Sequence, residues 1–176
     1  MAELSLQDRP QPALLDRLAD NEPEKKTESR ENHIISKTKL RQSVLRDLAW
    51  LLNTVNLSSS LDFSGLSYAE RSVINFGVPA LFGQIASTLD VTQFENNIRQ
   101  AIINFEPRIA PETLQVKAIV SDLQLDHHNL ISIQISGDLW AQPSPIELLL
   151  STEIDLETGQ VGVRDLVSSG MSQERR

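Results

Sequence analysis

The chain has 176 residues, a formal net charge of −8, 40% apolar residues and no cysteine. That length suits one domain with an arm, and the missing cysteines exclude a disulfide framework and thiolate metal sites. The charge is uneven. Residues 1–31 carry eight acids against five bases, residues 32–108 six against seven, and residues 109–176 ten against four. An acidic C-terminal part argues against a phosphate-binding surface, so no nucleic-acid partner is expected. No basic-plus-apolar leader and no apolar run of about 18 residues is present, so direct membrane insertion is not expected and a cytoplasmic location is.

Residues 1–31 read as a flexible arm. Leu14, Leu15 and Leu18 in the stretch LLDRL form one apolar turn, too short to persist as a helix by itself. The polar run from Asn21 to Glu31 follows it. The leucines thus make a small handle, to dock on the chain's own domain or on another protein.

Residues 32–166 read as one domain, with helices over 36–105 and a sheet over 112–165. The first long helix spans Ser36 to Thr54, with Leu40, Val44, Leu48, Leu51, Leu52 and Val55 as its apolar stripe. Lys37, Arg41, Arg46 and Asp47 fall outside that stripe, and Trp50 lies off its centre, at a core edge or a partner surface. A shorter helix is expected after Ser67, opened by a capping box of Ser67 and Glu70 and buried through Val73, Ile74 and Phe76. Gly77 reads as its left-handed cap and Pro79 as the start of another helical piece over Ala80–Ala86.

The next helix has Phe94, Ile98, Ala101, Ile102 and Phe105 on one face, and Thr92 with Glu95 reads as its capping box. Pro107 ends it, because the residue before a proline is driven out of the α region. Glu106, Pro107 and Arg108 are left as a short rigid corner. A carboxylate beside the last carbonyls of a helix meets the negative end of the macrodipole and wants a cation. Three settings satisfy it: solvent, Arg108, or a basic residue of another chain.

Beyond Pro111 the apolar period falls from three-and-four to two. Leu114–Val120, Ile131–Ile135, Ile146–Leu156 and Val161–Arg164 read as four strands, with turns at Asp126–Asn129 and Thr158–Gly159. The expected class is α+β: N-terminal helices packed on a C-terminal antiparallel β-meander of about four strands. Residues 167–176 read as a loose tail.

Catalytic patterns are scarce. His127 and His128 are adjacent in a turn and His33 stands alone, which is poor metal-ligand spacing. There is no glycine-rich phosphate loop and no nucleophile elbow, so no cofactor is expected. The remaining enzymatic reading is a glycoside hydrolase acting on peptidoglycan with Glu106 as general acid. That role needs a carboxyl in an apolar pocket, and a guanidinium two residues away is the wrong neighbour for a proton donor.

Four landmarks in order carry a family resemblance: LLDRL at 14–18, LLNT at 51–54, INFGVP at 74–79 and FEPRI at 105–109. With the acidic sheet that follows, the chain resembles the TssE family of type VI secretion baseplate wedge subunits. It is also similar to the small wedge protein of contractile phage tails, a family often labelled lysozyme-like. The likeness spans roughly residues 12–165. Two departures are Phe76, where members often have Tyr, and Val55, where they often have a basic residue. The resemblance implies a structural, non-enzymatic subunit at a cytoplasmic baseplate near the inner membrane. It implies TssF and TssG as wedge partners, TssB and TssC as the sheath, and possible neighbours in TssK and the VgrG hub. It also implies protein contacts at Glu106, Pro107 and Arg108, with the charged pair acting across the wedge interface. The handle leucines Leu14, Leu15 and Leu18 join that interface, and a sheet edge anchors or seeds the sheath.

Overall fold

The computed structural model describes residues 13–18, 24, 36–80, 90–119, 130–141 and 144–166. The expected helical piece over Ala80–Ala86, the turn holding His127 and His128, His33, the tail and most of the arm lie outside the described residues, Ala80 apart. The class is α+β. Four helices are described: α1 (Leu14–Leu18), α2 (Lys37–Leu52), α3 (Ser67–Glu70) and α4 (Val91–Phe105). Four strands follow them: β1 (Gln115–Ile119), β2 (Leu130–Leu139), β3 (Ile146–Asp155) and β4 (Val161–Asp165).

Helix α2 opens on Ser36, whose side chain accepts the Lys39 N–H, and buries Leu40, Val44, Leu48, Leu51 and Leu52. Each such side chain, fully buried, contributes roughly 1.5–3 kcal/mol. The helix stops at Leu52, so Val55 falls beyond it and is exposed, contrary to the stripe expected. Instead Val55 lies in a parallel bridge with Val78, where the Val78 N–H donates to Thr54 O and the Asn56 N–H to Val78 O, both at 2.9 Å. Gly77 serves this close approach rather than a helix cap. Its φ is +125°, and a Cβ there would sit 2.3 Å from the Thr54 carbonyl oxygen.

The segment before Gly77 differs from expectation. Helix α3 is a single turn with Leu66 at its N-cap position and no side-chain cap, so the Ser67–Glu70 box does not form. A 3₁₀ turn over Val73–Asn75 follows, leaving Val73 and Ile74 exposed and burying Asn75. The reason is polar satisfaction. The Asn75 amide accepts the Ser58 N–H at 2.8 Å and donates to Glu70 O at 2.9 Å, which ties two loops together.

Helix α4 starts earlier than the Thr92–Glu95 box would place it. Asp90 is the cap and accepts the Gln93 N–H at 3.0 Å, a carboxylate at the positive end of the dipole. Glu95 is thereby released, and it accepts the Ala118 N–H of β1 at 2.7 Å. Phe94, Ile98, Ala101 and Ile102 are buried as the period predicts.

The strands form an antiparallel meander in the order β1-β2-β3-β4. Ile131, Ile133, Ile135 and Leu139 alternate inward on β2, and Leu148, Leu150, Thr152 and Ile154 on β3. Thr152 is polar at a core position, and its hydroxyl donates to Ile133 O at 3.2 Å. Helices α2 and α4 cover this face, with α2 over β4, α4 over β1, and the two helices in contact. The core lies between them.

Candidate functional site

The corner forms where α4 gives out. Phe105 is the last helical residue and packs edge-on against Phe76, ring centroids 5.3 Å apart. Glu106 is the C-cap, with φ −124° and ψ 75°, outside the α region as Pro107 requires. Its N–H donates to Ile102 O at 2.8 Å, and its carbonyl accepts the Ile109 N–H at 3.2 Å, closing a tight turn. The far side of the turn is stitched to the end of β2. The Ala110 N–H donates to Asp138 O and the Trp140 N–H to Arg108 O, with Ile109 bridged to Leu139. Ile109 is buried, and Gly137 lets it approach: a Cβ on Gly137 would lie 3.3 Å from Ile109 Cγ2.

The corner's charges are used inside the chain. Glu106 is 2% exposed, which rules out a solvated carboxylate. Arg108 Nε donates to Glu106 Oε1 at 2.6 Å and Nη2 to Oε2 at 2.5 Å, a bidentate pair. Arg108 reaches further, with Nη1 on Ser43 Oγ at 3.1 Å and Nη2 on Asp47 Oδ2 at 2.5 Å. The guanidinium therefore clamps α4's end to α2. Burial works against its charge, but the bonds and charges of Glu106 and then Asp47 outweigh that and hold Arg108 above its usual pKa. The pair expected between chains is thus made within one chain. Pro107 is left exposed at the tip.

Asp47 connects outward. Its Oδ1 accepts from Arg46 at 2.8–2.9 Å, and Arg46 Nη1 donates to Asp16 Oδ1 of α1 at 2.5 Å. Arg46 also lies over the half-exposed Trp50 ring, 5.0 Å from its centroid. The handle and the corner therefore adjoin one flank of α2. Leu14, Leu15 and Leu18 are all exposed, at 70%, 51% and 72%. The sequence reading did not find Ser43, Asp47, Arg46 or Asp16 as parts of the site. Ser43 and Asp47 are spaced i, i+4 on α2, a face signal that gains meaning only once α4 is placed against it.

The two sheet edges are guarded differently. Along the free edge of β1 the backbone groups of Val116 and Ala118, and of Leu114 just before the strand, point away from β2. Arg99 caps the Leu114 carbonyl at 3.4 Å and Glu95 takes the Ala118 N–H, so α4 plugs this edge. On β4 the Asn53 amide takes both the N–H and the carbonyl of Val161, each at 2.9 Å. Alternation then turns the Val163 N–H and carbonyl outward as well. Arg41 grips the Asp165 carboxylate and the Glu147 carbonyl beside the end of β4.

Chemically, the arrangement is a clamp. A general acid must reach a substrate oxygen, whereas Glu106 is enclosed and both its oxygens hold one guanidinium. Among the described residues there is no cluster of three or more metal-ligating side chains. No curated protein and no solved structure matches the chain. A family model does, that of the baseplate wedge protein gp25, over residues 38–144, well over half the chain. The span runs from α2 through the corner to the loop before β3, and it bears out the wedge-family resemblance drawn from the ordered landmarks. With helices, corner and meander in that order, the chain belongs to the baseplate wedge protein gp25 family, a family of structural baseplate components.

Proposed function

We propose that this chain is the TssE-type wedge subunit of a type VI secretion baseplate, assembled in the cytoplasm near the inner membrane. In this reading TssF and TssG dock on the flank made by the Pro107 tip, the outer part of Arg108 and the handle leucines Leu14, Leu15 and Leu18. TssB and TssC are seeded at a sheet edge, and TssK and the VgrG hub lie nearby. The observation that carries the reading is the bidentate Glu106–Arg108 pair, which holds the corner in one shape before any partner arrives. A preformed element loses less freedom on binding. Glu106 then acts by shaping the corner, and the partner touches Pro107, Arg108 and the leucines.

Strand addition to the sheath uses β4 in this reading, because its Val163 N–H and carbonyl face outward beyond the Asn53 contact at Val161. On β1, by contrast, α4 side chains hold both ends of the row. The test is co-purification with TssF and TssG, followed by sheath polymerisation. Leu14→Ser with Leu18→Ser changes only exposed side chains and should leave the chain folded but lose the wedge. Val163→Pro removes an outward N–H of β4 and should stop the sheath while sparing the wedge. Normal wedge assembly by the leucine variant overturns the docking flank. A normal sheath with Val163→Pro overturns strand addition at β4.

A further inference from the structure

Helix α1 has five residues and no buried one. A helix so short does not hold a place or a shape by itself. Among the described residues its polar tie to the body is the ion pair of Asp16 with Arg46. Arg46 is in turn fixed on both sides, by the Asp47 carboxylate and by the Trp50 ring. Asp47 is fixed by Arg108, and Arg108 by Glu106. Charges therefore alternate along one path from the core to the surface: Glu106, Arg108, Asp47, Arg46, Asp16. The inner end is enclosed and the outer end meets solvent. The Oδ2 atom of Asp16 is buried without a partner, so the seat of α1 relies on its other oxygen and Arg46.

We infer that this charge ladder seats the leucine handle on the body, which makes Asp47 and Arg46 positioning residues for the partner surface. Glu106 then governs the handle without touching it. The inference rests on the wedge reading for the handle's purpose, but the ladder is a property of the isolated chain. It also explains why an acid at an unfavourable helix end is enclosed with so much polar machinery around it. The carboxylate orders Arg108, and Arg108 orders the face of α2 that receives α1.

The absence of cysteine gives a clean test. Leu15→Cys introduces a single thiol, and a nitroxide on it reports the mobility of α1 in the full-length chain without any partner. The parent label should be restricted. Arg46→Ala, Asp47→Asn and Glu106→Gln should each raise the mobile fraction at least twofold, with Arg46→Ala largest, whereas Arg164→Ala should leave it unchanged. Should Glu106→Gln fail to fold, Asp47→Asn still cuts the ladder at a partly exposed position. A label already free in the parent overturns the ladder, and so does one equally restricted in the Arg46 and Asp47 variants. Failure of the parent chain to bind TssF and TssG overturns the wedge reading instead, with label mobility still deciding the ladder.

Discussion

Two acid–arginine pairs in this molecule share their chemistry and differ in setting. At the corner, Glu106 and Arg108 have side chains 3% and 23% exposed and meet at 2.5 Å. On the outer face of the sheet, Glu153 and Arg164 are 47% and 71% exposed and meet at 3.2 Å. The first pair fixes the exit of α4, the start of the crossing to β1 and one flank of α2. The second joins two neighbouring strands that already share a hydrogen-bonded ladder. The contrast teaches that location, not pairing, decides what an ion pair is worth. A buried partner left alone is costly, while a solvated one finds water.

The sharpest way to break that contrast is to delete the buried acid. Glu106→Ala leaves Arg108 with Asp47 and Ser43 but without its bidentate partner. Removing one member of a buried pair costs about 3–5 kcal/mol, and the remaining contacts put this case near the low end. At about 3 °C per kcal/mol the melting temperature should fall by roughly 10 °C. Binding assays on this variant therefore need a melting curve beside them. A fall within error of zero would mean the corner is not a structural clamp.

An intermediate setting comes next. Arg41 spans from α2 to the sheet, with Nε and Nη2 on the Asp165 carboxylate at 2.6 and 2.7 Å and Nη1 on Glu147 O at 2.9 Å. Arg41→Ala removes three charge-assisted bonds at a partly buried place. The expected cost is about 1.5–3 kcal/mol, measured by urea denaturation with an unchanged m-value. Arg164→Ala should fall below about 1 kcal/mol. If the order of the three costs is anything but Glu106, Arg41, Arg164, burial is not the controlling variable.

Much of this was legible in residue spacing. The stripes of α2 and α4 and the period-two strands show directly which residues face the core, because burial of one face is what the pattern encodes. Glu106 followed by Pro107 also marks where α4 must stop. The polar partners were not legible, for a physical reason. Arg41 and Asp165 lie 124 residues apart, and Asn53 and Val161 lie 108 apart. Arg46 and Asp47 look like a solvated helix face until α1 and the corner are placed on it. Local cues also compete. Asp90 and Thr92 both suit an N-cap, and the carboxylate wins. Val73 and Ile74 read as core beside Phe76, yet the buried member of that turn is Asn75, chosen for its amide.

The smallest expected effect concerns the β3–β4 turn, where Leu156 is buried but Glu157 and Thr158, which bond the Asp155 carboxylate, are exposed. The Thr158 hydroxyl and then the Glu157 N–H donate to the Asp155 carboxylate, holding it below the ordinary carboxylate range. A carboxyl depressed in the folded chain stabilises fully above its unfolded pKa of about 3.9. That stability fades as pH falls through the lower folded value. Asp155→Asn should therefore melt slightly below the parent at pH 7, and the two curves should converge only once the pH has fallen through the depressed folded value. The bonds to Asp155 are exposed, so the shift should be far smaller than that of Glu106→Ala and should shrink in high salt. Parallel thermal scans across pH decide it. A gap that stays constant down to pH 2 would show that the Asp155 side chain contributes by shape rather than by charge, and the exposed hairpin would then owe its turn to backbone geometry alone.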